Sequence, residues 1–243
     1  MSDLASRILE HLAVVEAERR RRAAAPALAQ AVAAIKSYQQ SRFARTHADL
    51  IAHPRYGRAA NFFLNELYGP QDFTGRDAQF ARIVPALVRL FPRDTVETVE
   101  ALAAVHALSE RLDSTMGEHL GDAPPTRVDY IRAWQATGDR PGRLRQIELV
   151  MRVGQSLDRH VRSLVLRASL KAMRGPARAA GMAALQTFLE AGFDAFGAMR
   201  GASDFLALIE TRENALARRL FDTAAVEAAA RPLAADDVLA QLP

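Results

Sequence analysis

The residues best suited to chemistry are concentrated between Arg55 and Asp77, where Arg58, Glu66, Tyr68, Asp72, Arg76 and Asp77 sit among phenylalanines and turn residues. At 100° per residue, Glu66 lies about 60° from Phe63, at the border of an apolar helix face, while Asn61 and Asn65 point away from that face. Arg76 is in phase with Phe80, Ile83 and Leu87, so it opens the following helix on its inward side. Glu66, Asp72, Arg76 and Asp77 can therefore meet where two helices join. Such a corner is either a ligand or catalytic cluster or a structural network of ion pairs, because helix junctions need caps and matched charges whatever the protein does.

A second stripe is His106, Glu110 and Asp113, spaced four and three apart and so aligned on one helix face. A His–Glu–Asp stripe suits a divalent metal completed by another helix, or an imidazole base oriented by a carboxylate. It is equally the pattern of partly buried polar packing. The Glu-x-x-His pairs of a di-iron bundle are absent from the sequence, as is His-Glu-x-x-His, so no metal site is assigned. A third pair, Asp158 and His160, is displaced from the solvent stripe of its helix and reads as a site or as two satisfied core groups.

Neither a P-loop, a dinucleotide fingerprint nor a nucleophile elbow occurs. The run Glu18-Arg19-Arg20-Arg21-Arg22 closes an amphipathic helix and could touch membrane phosphates or nucleic acid. Four consecutive arginines point all round a helix, however, which predicts a solvated helix end rather than a groove-reading face.

The segment Phe62-Phe63-Leu64, Glu66-Leu67-Tyr68, Asp72-Phe73, Arg76-Asp77 and Phe80 resembles the signature of an uncharacterised family of bacterial all-helical proteins. The resemblance extends to Gly192-Phe193, Phe196 and the stretch from Phe205 to Phe221. It implies a helical fold, attaches no activity and carries over no catalytic residue.

Helices must position these side chains. Alanine supplies 48 of the 243 residues, and apolar residues recur every three or four positions throughout. The pattern predicts a first helix on the stripe Leu4, Ile8, Leu12 and Val15, a second from Pro26 to the His53-Pro54 break, a third over 55–68 to a stop at Gly69-Pro70, and a fourth over 74–91 with a kink at Pro85. Asp94 and Glu97 have capping-box spacing and predict a helix to about His119. Gly121 to Pro125 reads as a loop, Thr126 caps a short helix through Trp134, and Pro141 opens a long one to about Met173. Others follow near 177–198, from Ser203 to Phe221 and at 223–230. Leaving aside 223–230, where the pattern is weak, the sum is an all-α, compact bundle of about eight or nine helices in a single domain over 1–243, with residues 1–25 as a possible loosely docked helix.

The absence of cysteine excludes disulfides, thiolate metal sites and cysteine nucleophiles. The net charge of +4 comes from 32 basic and 28 acidic residues scattered along the chain, so nucleic acid is not the partner expected. With no secretory signal pattern at the start and no apolar run able to cross a bilayer, the expectation is a cytoplasmic protein without a transmembrane segment. Two function classes follow. One is a binding or interaction protein, expected to self-associate or to hold a protein partner. The other is an enzyme or small-ligand binder using a pocket near Arg58, Glu66, Tyr68, Asp72, Arg76, Asp77, His106, Glu110 and Asp113, with its cofactor unspecified. The first is favoured, because no catalytic signature stands out.

Overall fold

The structure, a computed structural model, describes residues 3–66, 71, 73–121 and 124–243. The described residues are helical throughout, without a strand. In order they form α1 (Asp3–Ala23), α2 (Pro26–Thr46), α3 (Ala48–Ala52), α4 (Gly57–Glu66), α5 (Thr74–Leu90), α6 (Arg93–Glu118) and α7 (Arg127–Thr137). Then come α8 (Arg140–His160), α9 (Leu164–Ala172), α10 (Arg174–Ala179), α11 (Ala183–Met199), α12 (Ser203–Leu220), α13 (Ala225–Ala229) and a closing 3-10 turn.

This exceeds the expected eight or nine because two long periodic stretches are broken locally. The helix expected from Pro141 to Met173 stops at His160 and restarts at Leu164. There the Ser163 hydroxyl accepts from the Leu166 N–H and caps α9. Likewise α2 ends at Thr46, and His47 sits between it and α3. The helix expected from 177 begins at Ala183 instead, preceded by the short α10. α5 runs through Pro85 as one helix.

The Asp94–Glu97 capping box does not form. Phe91 and Pro92 are extended, as the residue before a proline prefers to be, and the helix starts at Arg93. Asp94 thus lies inside the first turn, accepting from the Thr95 N–H, and Glu97 turns to Arg93 at 2.9 Å. Thr126, in contrast, caps α7 reciprocally with Asp129.

α6 is the organising helix, flanked by α1, α2, α5, α7 and α8. Its apolar residues feed separate clusters. Val96 and Ala103 join Ala5, Ile8 and Val84 from α1 and α5, whereas Ala101 and Val105 pack on Leu149 and Val153 of α8. Met116 joins Tyr38, Tyr130, Trp134 and Leu220. The aromatic cluster lies elsewhere, where Phe43, Phe63, Phe196 and Phe205 bring together α2, α4, α11 and α12. Close approach of α8 and α12 depends on Gly154, because a Cβ there would lie 2.6 Å from Leu206 Cδ2.

Candidate functional site

Helix α4 ends on Glu66 and α5 begins with Arg76 and Asp77, so the α4–α5 corner brings these three side chains together. Arg76 reaches the Glu66 carboxylate at 3.5 Å and Asp77 Oδ1 at 3.6 Å. Its guanidinium is stacked between the rings of Phe73 and Phe188, at 3.9 and 4.3 Å from their centroids. Burial among these rings lowers the Arg76 pKa, against the opposing pull of Asp77 and Glu66.

Two further helices close on Asp77. His106 of α6 donates from Nε2 to Asp77 Oδ2 at 2.9 Å, and Arg19 of α1 donates to the same oxygen at 2.5 Å. Burial raises the Asp77 pKa, but hydrogen bonds and charge from His106 and Arg19 more than offset it, leaving the carboxyl at about 2. Glu66, Arg76, Asp77 and His106 are therefore one connected cluster. Tyr68 and Asp72 lie outside the described residues.

The His106–Glu110–Asp113 stripe does not converge. Each side chain turns to a different partner, because three helices pack along this face of α6. Glu110 accepts from Lys36 of α2 at 2.5 Å and from Arg22 of α1, whose other nitrogen reaches Ser114 at 2.9 Å. Burial raises the Glu110 pKa, and Lys36 and Arg22 outweigh it to leave the group lowered. Asp113 accepts from the Gln39 amide at 3.2 Å, and burial pushes its pKa up against the pull of Lys36 and Arg143. Among the described residues no three His, Asp or Glu side chains gather in a way that could hold a metal ion.

The arginine run is not a wholly solvated end. Arg19 and Arg22 bind Asp77 and Glu110, and Arg21 reaches Glu118, so these cations fasten α1 to α5 and α6. Asp158 and His160 face different neighbours. His160 is buried against the Thr98 hydroxyl at 3.0 Å, while Asp158 accepts from the Ala202 N–H and from Arg162. Burial lowers the His160 pKa.

Sequence reasoning missed a buried triad. Glu213 of α12 accepts from Arg42 of α2 and from His47 Nε2 at 2.9 Å. Burial raises the Glu213 pKa, and Arg42 and His47 bring it down to about 2. Glu213 lies 166 positions from His47 and 171 from Arg42, so no spacing rule could have joined it to them. The only local signal was a pair of polar residues, Arg42 and His47, flanking Phe43 on an apolar helix.

Of the candidate residues, Arg58 and Glu66 line an open groove of about 590 Å³ between α4 and α11. Phe62, Ala191 and Ala195 form its apolar part, and Asn61, Asn65 and Asp194 stand with Arg58 and Glu66 at its polar rim. Asp77 and His106 do not line it. Their pairing resembles an oriented general base, yet among the described residues no hydroxyl hydrogen-bonds His106, and the pair is spent on joining α1, α5 and α6.

The fold and this site define an all-helical protein in which the inward-facing carboxylates Asp77, Glu110 and Glu213 are matched by cations across helix seams and whose open groove is mixed in character. Residues 18–227 match the family described as a domain of unknown function, DUF8198, and the chain belongs to that family. The match spans the signature from Phe62 to Phe80 and the stretch to Phe221. No curated protein and no solved structure matches the chain.

Proposed function

We propose that this chain is a bacterial, cytoplasmic helical binding protein, working as one domain and self-associating through the α4–α11 groove. The observation that carries the reading is the pairing of the candidate catalytic groups. Asp77, Glu110 and Glu213 each hold cations at hydrogen-bond distance inside a helix seam, where they stabilise packing, and none of them lines the α4–α11 groove. The groove, by contrast, combines an apolar floor with both charge signs. Arg58 at the start of α4, with Glu66 at its end and Asp194 on α11, makes a surface that can complement itself about a two-fold axis, as an isologous interface requires.

Sedimentation equilibrium of the full chain tests this, with a dimer expected for the wild type and a monomer for Arg58→Glu. A wild-type monomer at every concentration would overturn the self-associating form. A second reading, a small-ligand binder or enzyme, draws on the Asp77–His106 pair. Native mass spectrometry separates the two, since a small molecule or metal retained at one per chain and lost in Asp77→Asn would favour the second.

A further inference from the structure

The segment between Asp158 and Glu190 contains six cations, Arg159, Arg162, Arg167, Lys171, Arg174 and Arg178, and no carboxylate. It runs from the last turn of α8 through α9 and α10 into α11. α9 has no buried residue at all. Its inward side uses Leu166 and Leu170, half-buried against α10 and α11, whereas Leu164 and Val165 are 81% and 75% exposed. At 100° per residue Leu164, Ala168, Ala172 and Val165 span one outward face, and Arg167 and Lys171 run along its edge. The helix is thus apolar on two sides, and among the described residues only one has a partner.

Beside the first turn of α9 lies a hollow of about 290 Å³, lined by Arg162, Arg167 and Arg200 together with Leu164. One carboxylate, Asp158, faces it and is held by Arg162 at 2.6 Å. Arg167 enters by passing over Gly197, where a Cβ would lie 2.9 Å from its Nη2. Arg200 ends α11 in the left-handed region, at φ 53°, a position helices ordinarily give to glycine. Among the described residues Arg200 and Lys171 have no ion pair. The hollow therefore holds an excess of positive charge next to exposed aliphatic side chains.

We propose that the outward face of α9 docks on an anionic lipid surface, with Leu164 and Val165 entering the headgroup–acyl boundary and Arg162, Arg167 and Arg200 taking a lipid phosphate. Charge selects this occupant. A second copy presenting the same face would be repelled, and a nucleic-acid backbone gives no reason for two aliphatic side chains at the centre of the patch. A convex helix flanked by cations is the shape that lies in a bilayer interface. Among the described residues no helix is long and apolar enough to cross a membrane, so the contact is peripheral. The surface shares no lining residue with the α4–α11 groove, and either assignment can fail alone.

Vesicle co-sedimentation of the full chain tests the proposal. Binding is expected to vesicles of phosphatidylglycerol mixed with phosphatidylcholine, not to phosphatidylcholine alone, and is expected to weaken in high salt. Leu164→Ser with Val165→Ser should reduce it on the order of tenfold, and Arg200→Ala and Lys171→Ala by about fivefold each, with helical content unchanged by circular dichroism. Absence of binding, binding indifferent to lipid charge, or double-serine and Arg200→Ala variants that bind like the wild type would each overturn it. Saturable binding of inorganic phosphate or of a short oligonucleotide that depends on Arg200 but not on Leu164 and Val165 would replace the lipid by a soluble anion. An acidic protein partner released by the double-serine variant, with vesicles unbound, would likewise overturn it.

Discussion

The seams around α6 and the surface of α9 and α10 are built from the same cation used in opposite ways. At the seams Arg19, Arg22 and Lys36 each meet a carboxylate from another helix, so arginine and lysine replace part of the apolar contact that would otherwise hold α1 and α2 in place. On α9 and α10 the cations outnumber the acids and the apolar residues beside them stay wet. Matched charge marks where the chain closes on itself. Unmatched charge next to exposed leucine and valine marks where it meets something else.

That contrast can be broken most severely at Glu213. Glu213→Ala takes from Arg42 and His47 the carboxylate they share in the interior and should cost about 3–5 kcal/mol in chemical denaturation, enough to leave a marginal fold. Asp77→Asn should cost about 2 kcal/mol, because Arg19 and His106 keep partial access to water. The acid limb gives a further check. The Asp77 and Glu213 carboxyls have folded pKa values of about 2, below their ordinary 3.8 and 4.5. Their stabilisation is fully present above the ordinary values and is lost as pH falls towards 2. Unfolding followed by circular dichroism should steepen over that window, less so in Asp77→Asn.

Asp113 sharpens the comparison with the opposite sign. Its pKa is raised by burial, so its ionised form destabilises the fold increasingly as pH rises. Asp113→Asn keeps an acceptor for Gln39 and should gain up to about 1 kcal/mol at neutral to alkaline pH, measured as a higher denaturation midpoint. The smallest effect belongs to the unmatched surface, where Lys171→Ala should leave Tm within about one degree of the wild type.

Periodicity made most of the helices legible. Leu4, Ile8, Leu12 and Val15, or Phe80, Val84 and Leu87, mark buried stripes whose spacing admits no strand, and the Thr126 cap followed from its own sequence. The breaks at His47 and Ser163 were not legible, because the residues around them continue the apolar period and the interruption is decided by what packs behind. Glu66, Arg76, Asp77 and His106 were singled out by phase on their helices, and the structure joins them. Arg19 and Lys36, which complete the charge balance, arrive from helices far away in sequence. Their choice of acid depends on how α1 and α2 lie across α6. The exposed face of α9 was hidden for a related reason, since an apolar stripe in a sequence reads as core whether or not anything covers it.

The left-handed Arg200 carries a consequence of its own. A side chain bearing a Cβ at φ 53° gives up about 1 kcal/mol that glycine would keep, so Arg200→Gly is a substitution in which durability and attraction to acidic headgroups should move apart, the melting point rising as adhesion falls. Residues of this kind record a compromise in the backbone itself, legible from one torsion angle before any partner has been identified.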